Sequence, residues 1–329
     1  MKRLIVVVLV MATALISRPV FAEYYFISLK DKVPSGVSSI CWGINARDSF
    51  LVNFYSDTLS GTNVVKEWKT LAVKRCLSGL SINDEGNVAG VTTDPNDPTN
   101  QAIGAYWKTP SSTPLPIPLF PTWINNKKDV VGWNGMPLLY SVIHDTLVGL
   151  APLGGIYAEA DCVDDRGRSC GFVIDSPASK RWLQPVIWNN DGSLRQMIDL
   201  PYPFEDYEGT APRMNNRSRV LVLTSHPVTG DIANFIYHME QDQFDLVAPG
   251  VPNVYPFAID NLLQVGGQIG SNPLICRPFV WSKSGGLVYL PLPTGARGGS
   301  VQCGNNGRVF GGYYVDRYWN IISCIWVRK

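Results

Sequence analysis

One turn recurs along this chain, and its recurrence restricts what the chain can fold into. It stands in "GLSINDEGNVAGVTT" (residues 79–93) and returns as "WINNKKDVVGW" (123–133), "CVDDRGRSCGF" (162–172) and "QCGNNGRVFGG" (302–312). Aligned on the apolar residue that opens the turn, the copies begin at Ile44, Ile82, Ile124, Val163, Met214, Ile259 and Cys303, with spacings of 38, 42, 39, 51, 45 and 44 residues. A fixed period of this length marks a repeat architecture in which each copy is one supersecondary unit.

The columns behind the opening residue carry hairpin chemistry. The second is Asn45, Asn83, Asn125, Asp164, Asn215, Asp260 and Gly304; the third is Ala46, Asp84, Asn126, Asp165, Asn216, Asn261 and Asn305. Gly86, Gly167 and Gly307 then fall where a type I turn passes into the left-handed conformation, the geometry of a three-residue hairpin loop. Copies without that glycine, such as "NNKKD", are expected to carry strain or to use another loop. A strand-like run follows, closing on Gly90, Gly132, Gly171, Gly267 and Gly311. Next come a strand ending in an aromatic ("VVKEW", "IGAYW", "QPVIW", "RPFVW", "SCIW") and a further apolar run ("QMIDLPYP", "LVYLPLP").

Each unit therefore offers four short antiparallel strands, the composition of a propeller blade. The ends test closure. Only 26 residues follow Cys303, too few for a fourth strand, while "EYYFISL" at residue 23 reads as a fourth strand without a third before it. Joining the ends separates Cys303 from Ile44 by 48 residues, close to the other spacings. The reading is an all-β, seven-bladed propeller over residues 23–329, locked by its N-terminal strand. An open β-solenoid or a pair of sandwiches shares the turn chemistry but not the closure.

These residues resemble a known family. "APLGGIYAEADCVDDRGRSCGF" and "LSINDEGNVAGV…AYW" are similar to the HAF-type extracellular repeats of exported bacterial proteins, over essentially all of residues 23–329. The resemblance implies an exported, propeller-like β protein, with no defined activity and no functional residues to carry over.

The first 22 residues read separately. Lys2 and Arg3 precede an apolar run from Leu4 to Ile16 and a small-residue site at Ala22, the pattern of a cleaved signal peptide. That run is too short to span a bilayer as a helix, so an uncleaved anchor is the weaker reading. The expected destination is the periplasm or the exterior, with no stable membrane anchor after cleavage, and the expected state is a monomer. A net charge of +1 without a basic block argues against nucleic acid as a partner.

Export permits disulfides, and the chain has seven cysteines. In the three-residue-loop register Cys162 opposes Cys170, so a Cys162–Cys170 bridge is expected. Cys303 and Cys324 have a strand between them and should not pair; Cys41 with Cys76 is a weaker option, and Cys276 has no assigned partner.

Motifs for chemistry are sparse. His144, His226 and His238 fall in different units without ligand spacing, and no metal or cofactor is expected. "DPNDPTN" (94–100) reads as a turn-rich loop before it reads as a calcium site. The recurring Trp68, Trp107, Trp188, Trp281 and Trp326 read as packing between blades. In an up-and-down blade the repeated turn lies on one face and the irregular loops on the other, and binding concentrates in such loops. Arg181, Trp182, Tyr207, Arg317, Tyr318 and Trp319 are the candidate ligand-binding residues, for a protein or an envelope or extracellular glycan. The competing readings are a carbohydrate-active hydrolase or lyase using Asp94, Asp97, Glu205, Asp206 or Asp316, and a purely structural surface protein.

Overall fold

A computed structural model of the chain describes residues 23–94, 99, 101–151, 155–174 and 182–329. The expected signal segment, Asp97 and Arg181 lie outside the described residues. The strands form seven four-stranded antiparallel sheets. Blade one holds strands 38–44, 50–55, 60–66 and 69–72, and blades two to six begin at 78, 120, 157, 208 and 254. Blade seven takes 298–305, 309–315 and 321–328 from the C-terminal end and Tyr24–Ser28 from the other. The innermost strand of each blade touches that of the next, and the first touches the seventh, so the sheets close into a ring. The closing pair runs antiparallel, with Tyr24 opposite Arg328 and Phe26 opposite Trp326.

The repeated turn has the expected form. In blade two the Gly86 amide donates to the Asn83 carbonyl at 3.0 Å and Gly86 has φ 85°. Copies lacking glycine keep the same loop: Asp48, Lys128, Ser218 and Leu263 take its place with φ of 54°, 67°, 60° and 62°. The seventh copy differs. Gly304 pairs with Phe310, and Asn306 and Gly307 both have positive φ. Its opening residue is therefore Gly304 rather than Cys303, one position later than the sequence alignment placed it.

The second column does two jobs. In blades one, two, three and five the Asn Oδ1 accepts from two backbone amides of its own turn, as Glu85 and Asn87 donate to Asn83 at 3.1 and 3.0 Å. Each Asn Nδ2 donates to the second-column carbonyl of the next blade. The steps are Asn45 to Asn83 (2.9 Å), Asn83 to Asn125 (3.0 Å), Asn125 to Asp164 (2.8 Å), Asn215 to Asp260 (2.7 Å) and Asn305 to Asn45 (2.7 Å). These side chains are buried, so the belt satisfies polar atoms that would otherwise be costly. It also explains why Asn recurs: a carboxamide accepts at its own turn through one atom and donates to its neighbour through another, which a carboxylate cannot do.

The glycine column has a steric cause. Each innermost strand carries a β-bulge, as between Pro121 and Trp123 or between Ala160 and Cys162. The bulge pushes a carbonyl towards the second strand. A Cβ on Gly132 would lie 1.9 Å from the Phe120 oxygen, and one on Gly171 1.9 Å from that of Glu159. In the seventh repeat the residue in this position is Gly312, again one later than the aligned Gly311.

Trp107, Trp188, Trp281 and Trp326 are buried between blades as expected. The indole N–H groups of Trp107, Trp188 and Trp326 donate to carbonyls of preceding loops at 2.7–2.9 Å. Trp68 departs from the column. It sits in a turn with φ 62° and is exposed, and Val65, opposite Phe50, fills the Trp place in blade one.

The expected Cys162–Cys170 disulfide is absent, and all seven cysteines are free thiols. The register is as expected, with Cys162 opposite Cys170. The bulge immediately before Cys162 adds local twist, and its Sγ turns to the next blade to donate to the Met214 carbonyl at 3.4 Å. Both thiols fill the apolar layer between blades four and five with Ile187 and Met214. Cys41 does not meet Cys76; it meets Cys303 across the join of blades one and seven, Sγ to Sγ 4.0 Å.

Candidate functional site

Because neighbouring strands alternate in direction, the repeated turns crown one face of the ring and the second-to-third connections lie on the other. On that loop face a pocket of about 230 Å³ opens between blades five and six. Its walls come from the start of the innermost strands, Glu208–Thr210 and Tyr255–Phe257, from Leu223 and Ile232, and from Leu183 of blade four. The Trp182 amide donates to Glu208 Oε1 at 3.2 Å, which fixes the carboxylate at the rim and sets an exposed indole beside it.

Two of the candidate residues therefore flank this pocket: Trp182, and Tyr207, which precedes Glu208. Tyr207 is itself half-buried, stacked edge-on against Phe204 (5.2 Å) and His226 (5.3 Å), so its ring serves the loop more than the surface. Arg317, Tyr318 and Trp319 lie in blade seven, beyond blade six. There Arg297 sits 3.9 Å over Trp319 and Arg317 4.6 Å over Tyr318, a self-contained cation–π group. The six candidates thus do not form one site. None of Asp94, Glu205, Asp206 and Asp316 lines the pocket; Asp316 caps its own turn by accepting from the Tyr318 and Asn320 amides at 2.8 and 2.9 Å.

The histidines are also dispersed. His226 Nδ1 accepts from the Val228 and Thr229 amides at 3.2 and 3.1 Å, His238 meets Asp245 at 3.0 Å, and His144 stands on the turn face. Among the described residues no group of three or more His, Cys, Asp or Glu could hold a metal ion.

The axis holds charges that the motif search passed over. A shallow mouth of about 130 Å³ on the turn face is ringed by the third column, including Asp84, Asn126, Asp165, Asn216 and Asn261. Beneath it a space of about 60 Å³ is lined by Trp123, Arg213 and Gln302, with the Arg213 guanidinium 4.8 Å over the Trp123 ring. Asp161, the bulge residue of blade four, feels Arg213 and Glu159. The signal was "YAEADC" and "APRMNN": charged residues on innermost strands, where most copies place apolar or small ones. Glu208, Tyr255 and Phe257 carry no comparable signal, because only the closed ring brings blades five and six together around them.

Burial lifts the Asp161 carboxyl to about 7, Glu159 adds to the rise and Arg213 opposes it. A folded-state value above the unfolded one means that folding takes up a proton in between. The contribution is full in acid, below the ordinary aspartate range, and is lost as pH rises through about 7. Asp161→Asn is therefore expected to raise stability at pH 8 by on the order of 2–4 kcal/mol, at about 1.4 kcal/mol per tenfold change in proton affinity. The gain should vanish near pH 4, which paired urea denaturations at the two pH values would read.

No protein-family model matches the chain, and no curated protein matches it in sequence. Solved structures do match its shape. An oligogalacturonate lyase in complex with manganese aligns at TM-score 0.60 and 9% identity, covering 93% of this chain and 97% of the other. The oligogalacturonate lyase of Vibrio parahaemolyticus aligns at TM-score 0.58 and 10% identity, covering 94% and 97%. A puromycin-hydrolyzing peptidase of Mycobacterium tuberculosis aligns at TM-score 0.56 and 11% identity over 89% of this chain, which spans 52% of the peptidase. At these identities the likeness is one of fold, and the chain is a seven-bladed β-propeller of four-stranded antiparallel blades.

Proposed function

We propose that the ring is a non-catalytic binding scaffold that takes a carbohydrate unit on its loop face, in the pocket between blades five and six. The observation that carries this reading is the pairing of aromatic walls with one fixed carboxylate. Tyr255 and Phe257 line the pocket, Trp182 flanks it, and Glu208 is held at its rim. Aromatic faces suit the apolar C–H face of a sugar ring, and a carboxylate accepts from its hydroxyls. About 230 Å³ is below the usual span of drug-sized sites, which suits one ring rather than a folded loop. Glu208 is the one carboxylate among the described lining residues, whereas two-carboxylate hydrolysis needs a partner about 5–9.5 Å away. The resemblance to exported repeats and the leader-like first 22 residues support a ligand in the cell envelope or outside the cell.

The test is a glycan array probed with residues 23–329, followed by titration of retained sugars against Glu208→Gln and Tyr255→Ala. Each change is expected to weaken binding by about tenfold, equivalent to about 1.4 kcal/mol, without lowering the melting temperature. An array that retains nothing, or variants that bind as the parent does, would remove this reading.

A further inference from the structure

The turn face bears a second cleft, between blades three and four, of about 360 Å³. Its rim is cationic. Lys127 and Arg166 occupy the same position in successive turns, three residues after Ile124 and Val163, and His144 rises from the third-to-fourth connection of blade three. Arg217 holds that position in blade five, so three successive turns carry a cation there, whereas Glu85 in blade two sets Arg47 of blade one apart from them. The floor is apolar, made by Leu139, Ile143 and Val148, and Ile143 is 58% exposed. Asn190 and Thr146 add neutral donors.

Three observations show that the cleft's polar groups exceed what the protein itself engages. Lys127 makes no ion pair among the described residues, whereas Lys128 beside it is paired with Glu85 at 3.0 Å. Arg166 meets Glu240 at 3.6 Å, but Arg168 and Arg195 reach the same carboxylate at 3.1 and 4.0 Å; with Asp164, which pairs with Arg168, that sets two carboxylates against three guanidinium groups and leaves one positive charge over. The Ser141 hydroxyl in the cleft wall is buried and has no hydrogen-bond partner, a state that costs stability unless something binds there. The one acid in the lining, Asp129, accepts from Asn125 Nδ2 at 3.0 Å and so serves its own turn.

From this juxtaposition of an unpaired Lys127, an Arg166 whose carboxylate is shared, an orphan hydroxyl and an apolar floor, we infer that the cleft between blades three and four binds a compact organic anion. Lys127 and Arg166 hold its carboxylate or phosphate, and its body rests on Ile143 and Val148. The site is on the face opposite the proposed carbohydrate pocket and does not depend on it.

The experiment is amide NMR of residues 23–329 titrated with glucuronate, inorganic phosphate and glucose, the last as a neutral control of the same ring size. Glucuronate is expected to shift the amides of Lys127, Arg166, Gly167 and Asn190 in a saturable way at millimolar concentration, and glucose is not. Lys127→Gln should weaken glucuronate by about fivefold or more, Lys127→Arg should hold it within about twofold, and added salt should weaken it as screening predicts. A response to phosphate alone assigns the site to phosphorylated ligands. Equal responses to glucose and glucuronate, no response to either anion, or Lys127→Gln binding as the parent would overturn the assignment. Lys127 is exposed, so its variants are expected to fold, and an unchanged melting temperature checks that they do.

Discussion

A chain beginning at Lys30 is expected to be far less stable than one beginning at Glu23, and to aggregate. The missing strand closes the ring. Tyr24 stacks edge-on against Phe310 at 6.1 Å, and Phe26 against Tyr314 at 5.2 Å and Trp326 at 6.2 Å. Leu29, fully buried, packs against Cys41, Phe50 and Val52 of blade one, so the segment fastens the last blade to the first as well as to itself. Two bonds anchor its ends: the Leu29 amide donates to the Ser323 carbonyl at 2.9 Å, and the Lys329 amide to the Glu23 carbonyl at 2.8 Å. Burial of one large apolar side chain stabilises by about 1.5–3 kcal/mol, and each aromatic pair adds about 0.5–1.5 kcal/mol. The ladder with Ile321–Arg328 adds hydrogen bonds worth about 0.5–1.5 kcal/mol each; against the ordering cost of about 1–2 kcal/mol per residue, the net loss on truncation is on the order of 5 kcal/mol, comparable with the whole margin of a folded domain. Removal also bares the edge of strand Ile321–Arg328, a template for association between molecules. Melting curves should show a fall of more than about 10 °C, and a peptide of residues 23–29 added in trans should restore part of it. Equal melting of the two chains would mean that this strand does not hold the ring closed.

How much of this was legible in sequence follows from where each signal arises. The ring could be counted because a hairpin turn is a local object: Asn83 must accept from amides two and four residues on, and that need shows in any copy read alone. Closure could be inferred because a fourth strand was missing at one end and spare at the other. The second use of the Asn column, donation to the next blade, is not local and was invisible, although the recurrence of Asn where Asp or Ser also caps turns is its trace. Trp68 misled because "VVKEW" has the right composition three residues out of phase, with Glu67 and Trp68 both turned into the left-handed region. Cys162 and Cys170 show that register fixes which Cα atoms face each other, while a bulge one residue away decides where the sulfur points. The loop-face candidates were chosen as exposed aromatics and cations. Such residues were found, but Arg297 and Trp319 engage each other, and the pocket beside Trp182 is walled by residues that look like ordinary strand.

Blade four offers the sharpest test of the inter-blade belt, because there the second column is Asp164, which cannot donate to its neighbour. Arg168 takes over. Its Nε and Nη2 donate to Asp164 Oδ2, Nη2 also reaches Ser218 Oγ at 2.8 Å, and Nη1 reaches Glu240 Oε1 at 3.1 Å, both in blade five. The guanidinium is 8% exposed and the Asp164 side chain 0%, so this is a buried pair doing what one carboxamide does elsewhere in the ring. Arg168→Met keeps the aliphatic stem but leaves the carboxylate buried and unpaired, which costs about 3–5 kcal/mol. Urea denaturation at pH 7 should register that loss, with a fall in melting temperature of roughly 6–15 °C for a chain of this size. Adding Asp164→Asn should recover most of it. The charge is gone, Oδ1 still accepts from the amides of residues 166 and 168, and the new Nδ2 can donate to the Asn215 carbonyl as Asn125 donates to that of Asp164. Recovery in the double variant, beyond what Asp164→Asn does alone, is the measure of the belt, since a merely local salt bridge would leave the blade four to blade five contact as weak as in Arg168→Met. A single variant within about 1 kcal/mol of the parent would show that the blades are held by their apolar layers alone.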